Sequence, residues 1–165
     1  LQYDLSETAK LFLPLLLIVV IPISAWIYWN VRKGNYSNMD VSNRKQRKSL
    51  YFFIATTLFL FLFYDYFFNE NIDLIVTFLL LLLLLMQLSN YFVKSSMHTA
   101  FNIFVAALFF GLNSTLGIIW FLIAVLVGVT RIILKRHTVI EVISGALIAL
   151  LVSFIYLYAN IQYQH

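Results

Sequence analysis

"LFLPLLLIVVIPISAWIYW", residues 11–29, carries no charged side chain, and neither does "LIVTFLLLLLLLMQL", residues 74–88. A helix needs about 20 such residues to cross a hydrocarbon core of about 30 Å. In lipid, only helices and closed barrels satisfy every backbone hydrogen bond internally. A barrel strand must alternate outward apolar and inward polar residues, which the leucine run at 79–85 cannot do. The chain is therefore read as an all-α, polytopic membrane protein. Its first apolar segment is too long for the h-region of a cleavable signal peptide.

The 165 residues read as a single integral membrane domain, a six-transmembrane-helix bundle. The predicted spans are 9–29, 50–68, 74–88, 94–112, 115–134 and 137–158. Residues 99–134 are almost continuously apolar. As one helix they would measure about 54 Å, too long for an ordinary bilayer, so a turn is placed at "GLNST". At 62% hydrophobic and 11% charged, the composition excludes an ordinary soluble globule. No cysteine is present, which removes disulfides and thiolate metal sites.

Six alternating spans bring the first, third and fifth loops to one face of the membrane. Ten of the eleven Lys and Arg residues fall on that face, and Lys10 stands alone opposite. Two histidines, His98 and His137, begin apolar helices there, while His165 is a tail residue with no evident role. A lone histidine in such a place is more often a cap or an interfacial residue than a catalyst. Two of them beside several cations make a different case.

Glu141 follows His137 by four residues, one turn deeper on the same side of a helix. A carboxylate there can hold one imidazole nitrogen and leave the other as a nucleophile. The plainer alternative is an ion pair of Glu141 with Lys135 or Arg136. Arg131, in the last turn of the fifth span, can fork onto a phosphate. Arg44 and Arg47 stand one turn apart before the second span, in a segment that alone would read as a membrane-surface basic patch. Lys94, Ser95 and Ser96 head the fourth helix, where N–H groups and hydroxyls suit an anion. Together these residues suffice for phosphoryl transfer without a cofactor: one histidine attacks phosphorus, cations hold the oxygens, and the other histidine protonates the leaving group.

The same residues resemble the motifs of the type 2 phosphatidic acid phosphatase superfamily, K-x6-R-P, P-S-G-H and S-R-x5-H-x3-D. The third corresponds to Thr130-Arg131-x5-His137-x3-Glu141, followed by Val142 and Gly145; the second to Ser95-Ser96-Met97-His98, with Lys94 before it, as in a K-x-S-x-H variant of short bacterial members. The first departs most. With Arg47 in its Arg slot, Asp40 falls in the Lys slot and Lys48 in the Pro slot, and Arg44 is the substitute cation. The resemblance implies His137 as nucleophile, Glu141 as its orienting partner and His98 as general acid. It implies phosphate binding by Arg131, Ser96, Arg47, Arg44, Lys94 and Ser95.

The expected substrate is a phosphorylated membrane lipid (a lipid phosphate or an isoprenyl diphosphate) held in the bilayer, with no role for nucleic acid. The resemblance also implies a bacterial inner-membrane protein whose site faces away from the cytoplasm. The positive-inside rule, applied to the same cations, places that face in the cytoplasm. Three rivals share the residues: a silent binder or carrier of anionic lipids, a lipid phosphotransferase, and a metal site built from His98, His137 and Glu141.

Overall fold

The computed structural model describes residues 12–163 except Ser42 and Asn71; Lys10 and His165 lie outside the described residues. The described elements are all helical: α1 Phe12–Arg32, α2 Arg44–Asn69, α3 Leu74–Ser89, α4 Met97–Leu112, α5 Ser114–Ile133 and α6 Val139–Tyr163. Four of them, α1, α2, α5 and α6, are long and apolar enough to cross a membrane. With 16 residues each, α3 and α4 span only about 24 Å. Large side chains point outward along the long helices, Phe52, Phe68 and Phe154 among them, each more than 70% exposed. Such a surface is untenable in water and suits lipid.

The helix boundaries depart from the predicted spans at several ends, three of which bear on the site or its neighbours. α2 starts six residues earlier than expected, at Arg44, because Asn43 caps it by accepting the Lys45 N–H at 2.9 Å. α4 starts at Met97 rather than Lys94, with extended Ser96 as its N-cap. α6 runs on to Tyr163, past the end of the apolar stretch. Between α4 and α5 the chain does break, at Asn113, whose side chain accepts from the N–H groups of Thr115 and Leu116.

The chain forms two compact units, residues 1–76 and 77–165. In the first, a turn of π-helix at Leu16–Val20 precedes Pro22, a residue with no N–H to give to the ladder. The connection after α1 turns at Gly34, with φ +75°, and folds back under Trp26. Trp26 donates to the Tyr36 hydroxyl at 3.0 Å and stacks on Phe53, and Tyr36 meets Ser49. Asp65, a buried acid inside a long apolar helix, is a turn staple: it accepts from Asn69 and from the Asp73 N–H, and Asp73 caps the start of α3 at Val76.

In the second unit α4 packs against both α5 and α6. Small residues allow this closeness: Ala100, Ala124 and Ala149 are fully buried. A Cβ on Gly117 would sit 2.6 Å from the Phe110 backbone, so the α4–α5 hairpin closes only over glycine. Phe104 and Phe78 both meet the ring of Tyr156 edge-on at 5.6 Å.

Candidate active site

α6 starts within "HTVIE", residues 137–141, at Val139, and its first turn organises the site. Thr138 precedes the helix and Glu141 stands three residues on, the spacing of a capping box. Thr138 Oγ1 accepts the Glu141 N–H at 3.3 Å, and Glu141 Oε2 accepts the Thr138 N–H at 3.1 Å. The same carboxylate oxygen lies 2.9 Å from His137 Nδ1. An ionised carboxylate can only accept, so Nδ1 carries a proton, and in the neutral ring Nε2 is the nitrogen with the free lone pair. Glu141 therefore takes the imidazole as its partner, as the i, i+4 spacing predicts.

His137 is held from its other side by α5. The backbone carbonyl of Arg131 accepts the N–H groups of both Arg136 and His137, closing the turn between the helices. Within that turn Lys135 adopts a left-handed backbone, φ 53°. A side chain rarely takes this conformation, which commonly ends helices.

Two links bring the head of α4 to the same place. The Ser96 N–H donates to the Glu141 carbonyl at 2.9 Å, and Gly145 lies directly against the Ser96 backbone. The Glu141 carbonyl also takes the Ser144 hydroxyl, whose oxygen is 2.7 Å from Ser95 Oγ; Ser95 in turn meets Ser89. Ser95 and Ser96 are buried, and the Ser96 hydroxyl accepts from Thr99. The N–H groups of Ser95 and Ser96, expected to cradle an anion, are thus engaged with Val93 and Glu141.

A cleft of about 380 Å³ opens over the dyad. Its wall consists of Lys94, Ile132, Lys135, Arg136, His137, Thr138 and Glu141. Three cations therefore face one carboxylate that is already engaged by an imidazole. Lys94 was a sequence candidate, whereas Lys135 and Arg136 entered the sequence reading only as charge partners of Glu141. Neither His98 nor Arg131 belongs to this wall. His98 sits at the second position of α4, half-buried, and its carbonyl accepts from Asn102.

Arg44 and Arg47 belong to the first unit. Arg44 is the exposed first residue of α2. Arg47 is buried and donates its Nε–H to the carbonyl of Val41 at 3.1 Å. Among the described residues, no group of three His, Asp or Glu side chains is gathered as a metal site would require. Compared with family models, curated proteins and solved structures, the chain matches none.

Proposed function

We propose that this chain is a membrane lipid phosphatase that works through a phosphohistidine on His137, without metal, after the manner of the type 2 phosphatidic acid phosphatase superfamily. The observation that carries this reading is the 2.9 Å contact of His137 Nδ1 with Glu141 beneath a cleft walled by Lys94, Lys135 and Arg136. Nε2 attacks phosphorus, a P–N bond forms, and the P–O bond to the lipid breaks. The leaving oxygen takes its proton from His98. Water then attacks phosphorus and gives a proton to His98; the P–N bond breaks, its electron pair returns to Nε2, and inorganic phosphate leaves. Cations around the phosphoryl oxygens stabilise the charge that develops there. By the same resemblance Arg131 holds phosphate, and all six helices cross the bilayer.

The test is release of inorganic phosphate by the purified protein from a panel of phosphatidic acid, phosphatidylglycerol phosphate, an isoprenyl diphosphate and phosphorylated lipid A. Turnover of at least one, unaffected by EDTA, is expected. No turnover on any would remove the enzymatic reading. A second reading, a non-catalytic binder of anionic lipid headgroups, draws on one observation: neither His98 nor Arg131 lines the cleft. It predicts binding of the same lipids with no release of phosphate. Transfer of the phosphoryl group to another lipid would appear as a new phospholipid product in place of free phosphate.

Sidedness has its own test. In this reading the connection after α1 shares the face of the site and the α2–α3 turn lies opposite, with the site directed away from the cytoplasm. Ser37 and Ile72 are both exposed, and no native cysteine competes in these 165 residues. In intact cells an impermeant thiol reagent should label Ser37→Cys and not Ile72→Cys. The reverse pattern would put the site in the cytoplasm, and labelling of both would break the six-span topology.

A further inference from the structure

Glu141 is tied down at three points that serve different ends. Its carboxylate oxygen Oε2 accepts from His137 Nδ1 and from the Thr138 N–H, at 2.9 and 3.1 Å. Its own N–H goes to Thr138 Oγ1 at 3.3 Å. Its carbonyl takes the Ser96 N–H and the Ser144 hydroxyl. The backbone anchors fix where the first turn of α6 sits, and the capping box fixes which way the carboxylate points. A glutamate free of the box has three side-chain torsions to distribute among rotamers. Folded back onto Thr138, it keeps one oxygen where the imidazole needs it.

We infer that Thr138 is a positioning residue for the His137–Glu141 pair: its hydroxyl anchors the Glu141 N–H and its own N–H the carboxylate, so that the capping box keeps Oε2 against Nδ1 and the proton of the neutral ring on Nδ1. Thr138 lies at the rim of the cleft and is exposed, so its hydroxyl is not needed to fill a core. Most N-cap residues only stabilise their helix. Here the glutamate that completes the capping box also holds an imidazole, through the same oxygen Oε2, so loosening the cap also loosens the histidine. The inference rests on the phosphohistidine reading for its kinetic consequences and not for its effect on the ring.

Three variants separate positioning from plain helix stability. Thr138→Val keeps shape and loses the hydroxyl, Thr138→Ser keeps the hydroxyl, and Thr138→Gly loses it at a position where glycine caps well. On whichever panel lipid is turned over fastest, T138V and T138G should lower kcat about tenfold with KM little changed, a loss typical of a misaligned reacting group. T138S should stay within about twofold of the parent, since it restores the cap oxygen. In a Glu141→Gln background, T138V should cost nothing further, because Thr138 acts through Glu141.

The second measurement needs no turnover. In protein labelled with ¹⁵N at its three histidines, the His137 signals, identified by their loss in His137→Ala, should report one tautomer with the proton on Nδ1. T138V and T138G should give an averaged pair of tautomers, and T138S should not. An unchanged tautomer in both, or equal kcat for T138V and T138S, overturns the positioning role. If the tautomer moves as expected while no panel lipid is hydrolysed, the phosphatase reading fails and the positioning role stands. T138G keeps the comparison usable should T138V not fold.

Discussion

Replacing His137 by alanine should lower turnover by at least about a thousandfold, as loss of a covalent nucleophile does in other enzymes. The protein should remain folded. Glu141 loses one of the two donors on Oε2 but keeps the Thr138 N–H, so the net cost is on the order of 1 kcal/mol. Among the described residues no other imidazole lines the cleft to take over attack on phosphorus. Covalent labelling from a lipid carrying radioactive phosphate, trapped by rapid acid-free quenching, should vanish in the variant. Retention of more than a few per cent of activity would sink the nucleophile assignment and leave the cleft as a binding site. Glu141→Gln should be milder but still costly, since an amide can present either its oxygen or its N–H to the ring and so select the wrong tautomer.

Much of this arrangement is legible in the sequence, because its determinants are local. Two residues four apart on a helix lie on one face, so His137 and Glu141 were placed together by counting alone. The break near residue 113 followed from bilayer thickness, and the asparagine that makes it was in the predicted turn. The early start of α2 was missed for a physical reason. Residues 44–49 are polar and carry no hydropathy signal, although Asn43 is a recognisable cap. The capping box at Thr138 and Glu141 has a sequence signature too, a threonine followed three residues later by a glutamate, set among charges that give a stronger signal. What no local pattern carries is the contact between segments far apart in sequence. The Ser96–Glu141 hydrogen bond, the Ser95–Ser144 contact and the packing of Gly145 on Ser96 join residues more than 40 positions apart. They explain why the head of α4 and the start of α6 are found at one place, which alternation of spans could only suggest.

Gly145→Ala should be among the most damaging single methyls in the second unit. A Cβ there would lie 2.7 Å from the Ser96 carbonyl oxygen and 3.1 Å from its nitrogen, and backbone cannot swing aside as a side chain does. The clash falls one turn below Glu141, on the atoms that tie α4 to α6. Relief requires the two helices to part, which breaks the Ser96 N–H bond to the Glu141 carbonyl and disturbs the turn that carries His137 and Glu141. Overpacking of this kind costs about 1–3 kcal/mol, so the variant should unfold at lower temperature in detergent. Displacing one catalytic group by about 1 Å can cost on the order of a hundredfold in rate, so kcat should fall further than stability alone explains. Gly111→Ala is the control, since its Cβ would meet only side-chain atoms of Leu157 and Asn160, at an ordinary 3.7 Å. There the helix gains about 0.5–1 kcal/mol from losing a glycine, and the melting temperature should hold or rise with activity intact. Equal behaviour of the two variants would mean that α4 and α6 do not meet through Gly145, and the site would lose the contact that assembles it.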